Sequence, residues 1–215
     1  MSSNTIVFDL DDTLVPEIAY LKSAFREIAK FVDGGNELLF DEMFDWYQNK
    51  ENVFTKLGDR YINAELSLLK NMYRNHFPDF ESLWECRQML ANLKNDGHLL
   101  GLITDGFSVT QRNKIRALNI EDLFDQIVIS EEFGSEKPHE KNYCVFHKFN
   151  TDNYMYVADN VSKDFITPNR LGWTTVCLLN QGSNIHSQDF DKDSIYLPQH
   201  KIKSLMDLNT IIKIT

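Results

Sequence analysis

Four aspartates of the 215-residue chain have the residue type and spacing to hold a metal ion and react with an anionic substrate. Asp9 and Asp11 stand two residues apart after one short apolar segment, and Asp159 and Asp164 stand five residues apart after another. Carboxylates within a few ångströms of one another require a positive counter-charge. Mg²⁺ bound by one or two carboxylates and a substrate phosphate meets this requirement best. Lys137 would supply a further positive charge.

Polar residues also follow two other apolar segments. Thr104, Asp105 and Gly106 come after one of them, and Lys137 follows the other after a short interval. Ligands of open α/β sheets bind beyond the carboxyl ends of the strands. If the apolar segments are neighbouring parallel strands, these residues meet the four aspartates at one edge of the sheet. Such an edge suits phosphoryl transfer, in which the protein contributes mainly positioned charge.

The apolar segments have the length and composition of buried β-strands. Their continuous apolarity indicates strands covered on both faces, as in a parallel sheet. Helical patterns lie between them, so we predict an α/β fold with a doubly wound, Rossmann-like parallel sheet. The predicted strands are residues 5–8, 99–103, 126–129, 154–157 and 174–179, and the predicted helices are residues 108–118, 139–149 and 162–171.

Residues 16–96 contain almost no strand pattern and several helical ones. Pro16 suits a first helical position, Gly34 and Gly35 would end the first helix, and Asp96-Gly97 would end the last. Further amphipathic stretches cover 38–47, 61–73 and 83–93. We predict a core domain of residues 1–15 and 97–215, with residues 16–96 inserted as a helical cap over the strand ends. The alternative is that these helices pack directly on the sheet.

The polar groups resemble, in order and spacing, the four motifs of the haloacid dehalogenase (HAD) superfamily, and the helical insert resembles its C1-type cap. The resemblance spans nearly the whole chain. One difference is Ala158, which stands where the fourth motif usually has glycine. The matching segments are Asp9-Leu10-Asp11-Asp12-Thr13, Thr104 in Leu102-Ile103-Thr104-Asp105-Gly106, Lys137 in Glu136-Lys137-Pro138, and Asp159 and Asp164 in Ala158-Asp159-Asn160-Val161-Ser162-Lys163-Asp164.

The resemblance implies a role for each motif. Asp9 is the nucleophile that forms an aspartyl-phosphate, and Asp11 is the general acid and base. Thr104 and Lys137 complete the catalytic set. The residues expected to bind the phosphoryl group are Thr104, Asp105, Gly106 and Lys137. The residues expected to bind the metal are Asp9, Asp11 through its backbone carbonyl, Asp159 and Asp164, although Asp164 is also expected to hold Lys137.

These roles predict a Mg²⁺-dependent phosphohydrolase, a phosphoric monoester hydrolase that acts on a small phosphorylated metabolite. Dehalogenases of the superfamily lack an aspartate at the position of Asp11, so Asp11 favours phosphoryl transfer over carbon–halogen cleavage. Two alternatives are a phosphomutase with the same site and a non-catalytic binding protein that retains the fold. The substrate, whether nucleotide, sugar or sugar acid, stays open. The cap residues considered for contact with it are Glu17, close after the first motif, and Lys56 and Arg60, in a Gly-containing stretch between predicted helices.

The overall composition bears on partners and location. A formal net charge of -10 argues against nucleic acid as a partner. No apolar run approaches the ~20 residues of a membrane span, and the first residues carry no signal-like segment. Three widely spaced cysteines do not suggest a disulfide framework. We therefore expect a cytoplasmic protein with no membrane partner, either a monomer or a weak homodimer.

Overall fold

The computed structural model describes residues 3–80, 84–182 and 184–213. Met1 and Ser2 of the predicted core, and Leu83 at the start of the predicted last cap helix, lie outside these ranges. Within them, six parallel strands form one sheet in the order β3-β2-β1-β4-β5-β6. The strands are β1 (Asn4–Phe8), β2 (Leu99–Thr104), β3 (Gln126–Ile129), β4 (Asn153–Ala158), β5 (Thr174–Leu178) and β6 (His200–Ile202).

Both faces of the sheet are buried, as the continuous apolar runs predict. In β1, Ile6 and Phe8 belong to one apolar cluster and Val7 to the other, because successive side chains of a strand point to opposite faces. The predicted α/β fold with a doubly wound parallel sheet is confirmed. Packing explains why residue 101 in β2 is glycine, because a Cβ there would lie 2.2 Å from the ring of Phe146.

The helices of the core agree with the predicted ones in place but not always in length. Residues 139–149 form a short helix followed by a 3-10 segment, and residues 162–171 become helical only from Ile166. Strand β6 was not predicted, because His200 and Lys201 interrupt its apolar character and only Ile202 is buried. The helices from Trp84 onward are α5 (Trp84–Asn95), α6 (Ser108–Ala117), α7 (Ser130–Phe133), α8 (Lys141–Cys144), α9 (Ile166–Arg170) and α10 (Leu208–Ile212), with 3-10 segments at Glu121–Leu123, Val145–Phe149, Ser194–Tyr196 and Leu205–Asp207.

Four helices between β1 and α5 share an apolar cluster of their own. It includes Leu21 and Phe25 of the first helix, Leu39 and Met43 of the second, and Leu69 of the last. The first helix ends at Gly34, whose φ of 65° is the left-handed conformation that glycine adopts without strain. The four helices are α1 (Glu17–Asp33), α2 (Glu37–Gln48), α3 (Val53–Arg60) and α4 (Leu66–Asn75).

The sequence interpretation of residues 53–65 was wrong. Lys56 and Arg60, expected in a Gly-containing stretch between helices, lie in α3. The Asn52 side chain accepts a hydrogen bond from the Thr55 backbone (3.0 Å), which is the N-cap contact that starts a helix. Tyr61 is extended, with φ −123° and ψ 123°, so the next helix begins only at Leu66.

The packing of α5 bears on where the cap ends. Its residues Met89, Leu90 and Leu93 belong to the apolar cluster on one face of the sheet, with Ile6 and Phe8, and not to the cluster shared by α1–α4. We therefore propose that α5 belongs with the core and that the cap comprises α1–α4; the division at residues 16–96 stays a prediction. Among the described residues, no helix combines the length and apolarity needed to span a membrane.

Candidate active site

The nucleophile candidate, Asp9, lies directly after the central strand β1. Its backbone N–H donates to the Val157 carbonyl of the neighbouring β4 (2.9 Å), so the sheet register extends to this residue. The Leu10 N–H donates to Asp9 Oδ1 (2.8 Å), and the carboxylate is almost completely buried. The loop that follows turns back through a hydrogen bond from Asp12 N to the Val15 carbonyl (2.7 Å).

Three aspartates from two strand ends form a compact acidic group. The carboxylates of Asp9, Asp159 and Asp164 each offer an oxygen, and these oxygens lie within 4.8 Å of one another. All three residues are buried. Asp159 Oδ2 accepts a hydrogen bond from Asn184 Nδ2 (3.0 Å). Burial, with the nearby Asp164 carboxylate, raises the pKa of Asp159 to about 7.

Lys137 supplies one positive charge to this acidic group. Its Nζ lies 2.8 Å from Asp9 Oδ2 and 3.0 Å from Asp164 Oδ1. Burial alone would lower the pKa of the ammonium, but the two carboxylates outweigh it and raise that pKa well above its usual range. The pKa of Asp9 is raised, because burial and the carboxylates of Asp164 and Asp159 outweigh Lys137.

The acidic group fits a divalent cation. The three carboxylates carry up to three negative charges, whereas Lys137 brings one positive charge, so two remain to be balanced. Every donor atom in the group is a carboxylate oxygen, which is the ligand type that Mg²⁺ and Ca²⁺ prefer. Raised carboxyl pKa values at Asp9 and Asp159 are the expected sign of this imbalance.

Asp11 does not belong to this group and faces different partners. Its Oδ1 lies 2.6 Å from Lys114 Nζ, and Gln111 Nε2 donates to its Oδ2 (3.1 Å). Both partners come from α6, which follows β2. Any part that Asp11 plays in binding a metal would therefore fall to its backbone carbonyl.

The end of β2 and the loop after it contain Thr104, Asp105 and Gly106, three residues predicted to bind the phosphoryl group. Their contacts differ from one residue to the next. Thr104 is buried at the strand end. Asp105 accepts hydrogen bonds from the Lys137 backbone N–H (3.1 Å) and Lys163 Nζ (2.7 Å). Gly106 N–H donates to Ser130 Oγ (2.9 Å), so this amide is already engaged within the protein. The φ of 138° at Gly106 explains why the turn has glycine.

Most of the predicted site residues line a small polar cavity of about 160 Å³, whereas Asp164 and Gly106 do not line it. Glu17 from the start of α1 lies at its side, so this candidate cap residue does reach the site. Lys56 and Arg60 do not: they pair with Glu51 and Glu42 on the cap. The residues lining the cavity are Asp9, Asp11, Asp12, Glu17, Thr104, Asp105, Lys137, Asp159, Asn160, Lys163 and His186.

Several residues at the site were not found from the sequence. Lys114 and Gln111 are three apart on α6, and this spacing places them on one helix face; testing which face of that helix meets the strand ends would have selected them. Lys163 was quoted within the fourth motif but given no role. Asn184 and the exposed His186 come from a loop after β5 that carries no motif. Asp12 of the first motif, which was given no role, accepts backbone hydrogen bonds at both carboxylate oxygens.

Comparison with known proteins identifies the class of this chain. Residues 6–178 match the family model for haloacid dehalogenase-like hydrolases, and the chain belongs to this family. It is 31% identical over 225 residues to the glyceraldehyde 3-phosphate phosphatase of Methanocaldococcus jannaschii, covering 97% of this chain and 96% of that protein. Over 123 residues it is 35% identical to the pyrimidine 5'-nucleotidase YjjG of Escherichia coli, covering 55% and 54% of the two chains.

A solved structure supports the fold assignment. The magnesium-bound putative HAD-hydrolase YfnB of Bacillus subtilis superimposes with a TM-score of 0.66 at 18% identity, and the match covers 99% of each chain. At this identity the likeness shows the shared fold. The predicted membership of the HAD superfamily is thus confirmed by the family model and by the architecture together.

Glu17 gives a prediction about pH. Burial and the nearby Asp11 carboxylate raise the pKa of Glu17 from 4.5 to about 7. A carboxyl group with a raised pKa in the folded state stabilises the fold at low pH, and this contribution is lost as the pH rises toward 7. In EDTA, the Glu17→Gln variant should therefore gain stability over the wild type between pH 4.5 and 7, reaching a plateau of at most about 3 kcal/mol.

Urea unfolding of both proteins across this pH range measures the difference. The matched control is Glu85→Gln, on the exposed surface of α5, whose stability should follow that of the wild type. A Glu17→Gln advantage that does not grow with pH would contradict the burial of an ionisable carboxyl at this position.

Proposed function

We propose that this chain is a Mg²⁺-dependent phosphatase that hydrolyses a small phosphorylated metabolite through an aspartyl-phosphate on Asp9. The class of enzyme, a phosphoric monoester hydrolase, is supported by the family and by relatives named as phosphatases. One observation carries the mechanism. Asp9 and Asp11 line the same small cavity but pair with different cations, Lys137 and Lys114. The two carboxylates thus lie at different places around one cavity, which suits separate roles as nucleophile and proton donor.

In the first step the Asp9 carboxylate attacks phosphorus, and the bond from phosphorus to the leaving oxygen breaks. Asp11 gives its proton to that oxygen as it leaves. Lys137 faces the nucleophile and offsets negative charge on the phosphoryl oxygens. In the second step Asp11 takes a proton from a water molecule, which attacks phosphorus and releases phosphate and free Asp9.

The remaining predicted residues bind and orient the phosphoryl group. The Thr104 hydroxyl and the Asp105 backbone meet its oxygens, whereas Gly106 shapes the turn, because its N–H already donates to Ser130. Asp9, Asp159 and Asp164 would hold Mg²⁺, with the Asp11 carbonyl as a further ligand. The cation, when bound, neutralises charge that develops on the phosphoryl oxygens. Asp164 also keeps Lys137 against the nucleophile.

Binding of Mg²⁺ at the acidic group can be tested by protein stability, without measuring catalysis. The Asp159 carboxyl has a raised pKa of about 7 in the metal-free fold, so its ionised form opposes folding above that pH. At pH 8 in EDTA, Asp159→Asn should be more stable than the wild type. Mg²⁺ should then stabilise the wild type more than the variant, because the variant lacks one ligand; a ligand at 100 times its Kd stabilises the protein that binds it by about 2.7 kcal/mol.

Thermal unfolding with EDTA and with Mg²⁺ measures both halves of this prediction. Asp152→Asn, at an exposed position outside the acidic group, is the matched control and should respond to Mg²⁺ as the wild type does. An equal Mg²⁺ response in Asp159→Asn would place the cation elsewhere.

For the substrate we propose a short-chain phosphate ester such as glyceraldehyde 3-phosphate. The cavity of about 160 Å³ is well below the ~300–1,000 Å³ of pockets for drug-sized ligands. It favours a compact substrate over a pyrimidine nucleotide, the second candidate suggested by a relative's name. We expect Glu17 and Lys163, which line the cavity, to contact the part of the substrate beyond the phosphoryl group.

A panel of phosphate esters tests this proposal. Purified protein with Mg²⁺ should release phosphate from glyceraldehyde 3-phosphate with a higher kcat/KM than from pyrimidine 5'-monophosphates. The reverse order of kcat/KM would indicate that the substrate is a nucleotide. Transfer of the phosphoryl group to a second hydroxyl faster than to water would make it a mutase, and no turnover of any ester would leave the non-catalytic alternative.

The expectations about partners and location belong to the same proposal. A small phosphate ester is the proposed partner, and neither nucleic acid nor membrane is expected to bind a chain with a net charge of -10. A cytoplasmic location and a monomer or weak homodimer remain predictions. Sedimentation at micromolar concentration tests the oligomeric state.

A further inference from the structure

Lys114 is a buried cation that no sequence motif identifies. It lies on α6 with 3% of its surface exposed, and its Nζ is 2.6 Å from Asp11 Oδ1. Gln111, one helical turn earlier, donates to Asp11 Oδ2 (3.1 Å) and to the Asp105 carbonyl (2.8 Å). Both oxygens of the Asp11 carboxylate are therefore held by side chains of one helix.

Lys114 also touches the cap. Its ammonium lies 4.7 Å from the centroid of the Tyr20 ring on α1, a distance at which a cation is attracted to an aromatic face. The Tyr20 hydroxyl donates in turn to the Tyr73 carbonyl on α4 (2.5 Å). A single side chain thus contacts the carboxylate of Asp11 and a helix of the cap.

Helix α6 is fixed to the cap at two further points. Thr110 Oγ1 donates to the Arg74 carbonyl (2.8 Å), and Asn113 Nδ2 donates to the Asn75 carbonyl (3.0 Å). Both acceptors lie at the end of α4. Together with the contact between Lys114 and Tyr20, these hydrogen bonds join the cap to the helix that carries Lys114.

Lys114 does not line the cavity, so its effect on a reaction there would pass through Asp11. Burying an ammonium is costly unless it is paired with good geometry. Here the pairing fixes the orientation of one carboxylate. Proton transfer to a leaving oxygen needs such a fixed donor, because a small misplacement lowers the rate strongly.

We propose that Lys114, together with Gln111, is a positioning residue that aims the Asp11 carboxyl at the leaving oxygen. The inference rests on the proposed function of Asp11 as general acid and base. In the step concerned, the phosphorus–oxygen bond breaks, its electron pair goes to the leaving oxygen, and the proton moves from Asp11 to that oxygen.

The leaving group provides the test. An alkoxide such as that of glycerol 3-phosphate needs protonation to leave, whereas p-nitrophenolate does not. In Lys114→Met, kcat/KM for glycerol 3-phosphate should fall at least about 10-fold more than kcat/KM for p-nitrophenyl phosphate, as expected for impaired general acid catalysis. The ratio of the two losses is independent of the folded fraction, so a purely structural effect of the substitution would leave it unchanged.

Two comparisons complete the experiment. Lys94→Met removes a lysine that pairs with Asp125 on the exposed surface and should leave the ratio unchanged. Lys114→Met in an Asp11→Asn background should cause no further change in the ratio, because residues that act as a unit are not additive. Lys114→Gln is used in the same way if the methionine variant does not fold.

The outcomes separate the inference from the function on which it rests. Suppose that Asp11→Asn shows the leaving-group effect. If Lys114→Met then lowers kcat/KM equally for both substrates, or lowers it for neither substrate, the positioning role is overturned. A further change of the ratio in the Asp11→Asn background would overturn it too. If Asp11→Asn itself shows no leaving-group effect, the proposed function of Asp11 fails, and the inference fails with it.

Discussion

Replacing Asp9 with asparagine is expected to lower kcat by at least about 10⁴-fold, because the amide cannot act as a nucleophile toward phosphorus. The loss should not come from unfolding. Burial and the carboxylates of Asp164 and Asp159 raise the pKa of Asp9, so in EDTA at neutral pH the variant should be at least as stable as the wild type. Phosphate release and thermal unfolding measure the two effects.

Asp11→Asn is the informative comparison for this variant. It retains the nucleophile, and its kcat should fall by about 10²–10⁴-fold, the usual contribution of general acid–base catalysis. Asp9→Asn with more than a tenth of wild-type activity would show that Asp9 is not the nucleophile.

The second large effect is expected at Lys137. Lys137→Met leaves the Asp9 and Asp164 carboxylates buried side by side without the cation that lies 2.8 Å and 3.0 Å from them. Breaking a buried ion pair on one side costs about 3–5 kcal/mol, so a large fall in the free energy of unfolding is expected in EDTA. Because the positive charge beside the nucleophile is lost, kcat should fall by about 10²–10³-fold even with Mg²⁺.

Urea unfolding in EDTA and phosphate release with Mg²⁺ measure these changes. Lys148→Met removes an exposed lysine whose Nζ donates to Gln126 Oε1 (2.6 Å), and it should match the wild type in both measurements. Unchanged stability of Lys137→Met would mean that the two carboxylates do not depend on this ammonium.

The strand ends explain why so much of the site follows from the sequence. Continuous apolar runs predict buried parallel strands, and the residues after such strands must meet at one edge. Asp9, Thr104, Lys137 and Asp159 are therefore brought together by topology that local patterns already contain. The cap core around Phe25 follows from helical spacing in the same way.

Other features depend on contacts that local patterns do not contain. Residues 53–60 contain Gly58, which lowers helix propensity, yet the Asn52 cap and the burial of Leu57 make them helical. The pairing of Lys114 with Asp11 joins residues 103 apart in the chain. The hydrogen bond from Asn184 to Asp159 comes from a loop without regular structure. Such contacts depend on how helices and loops pack, and periodicity does not encode that packing.

The central claim is that the phosphoryl group passes through Asp9, and trapping the intermediate tests it most directly. The protein is mixed with substrate and Mg²⁺, quenched in acid within one turnover and reduced with borohydride, which converts an aspartyl-phosphate to homoserine. Peptide mass spectrometry should then find homoserine at position 9 in the wild type and none in Asp9→Asn. Turnover with residue 9 unmodified, or with the modification at another aspartate, would contradict the account.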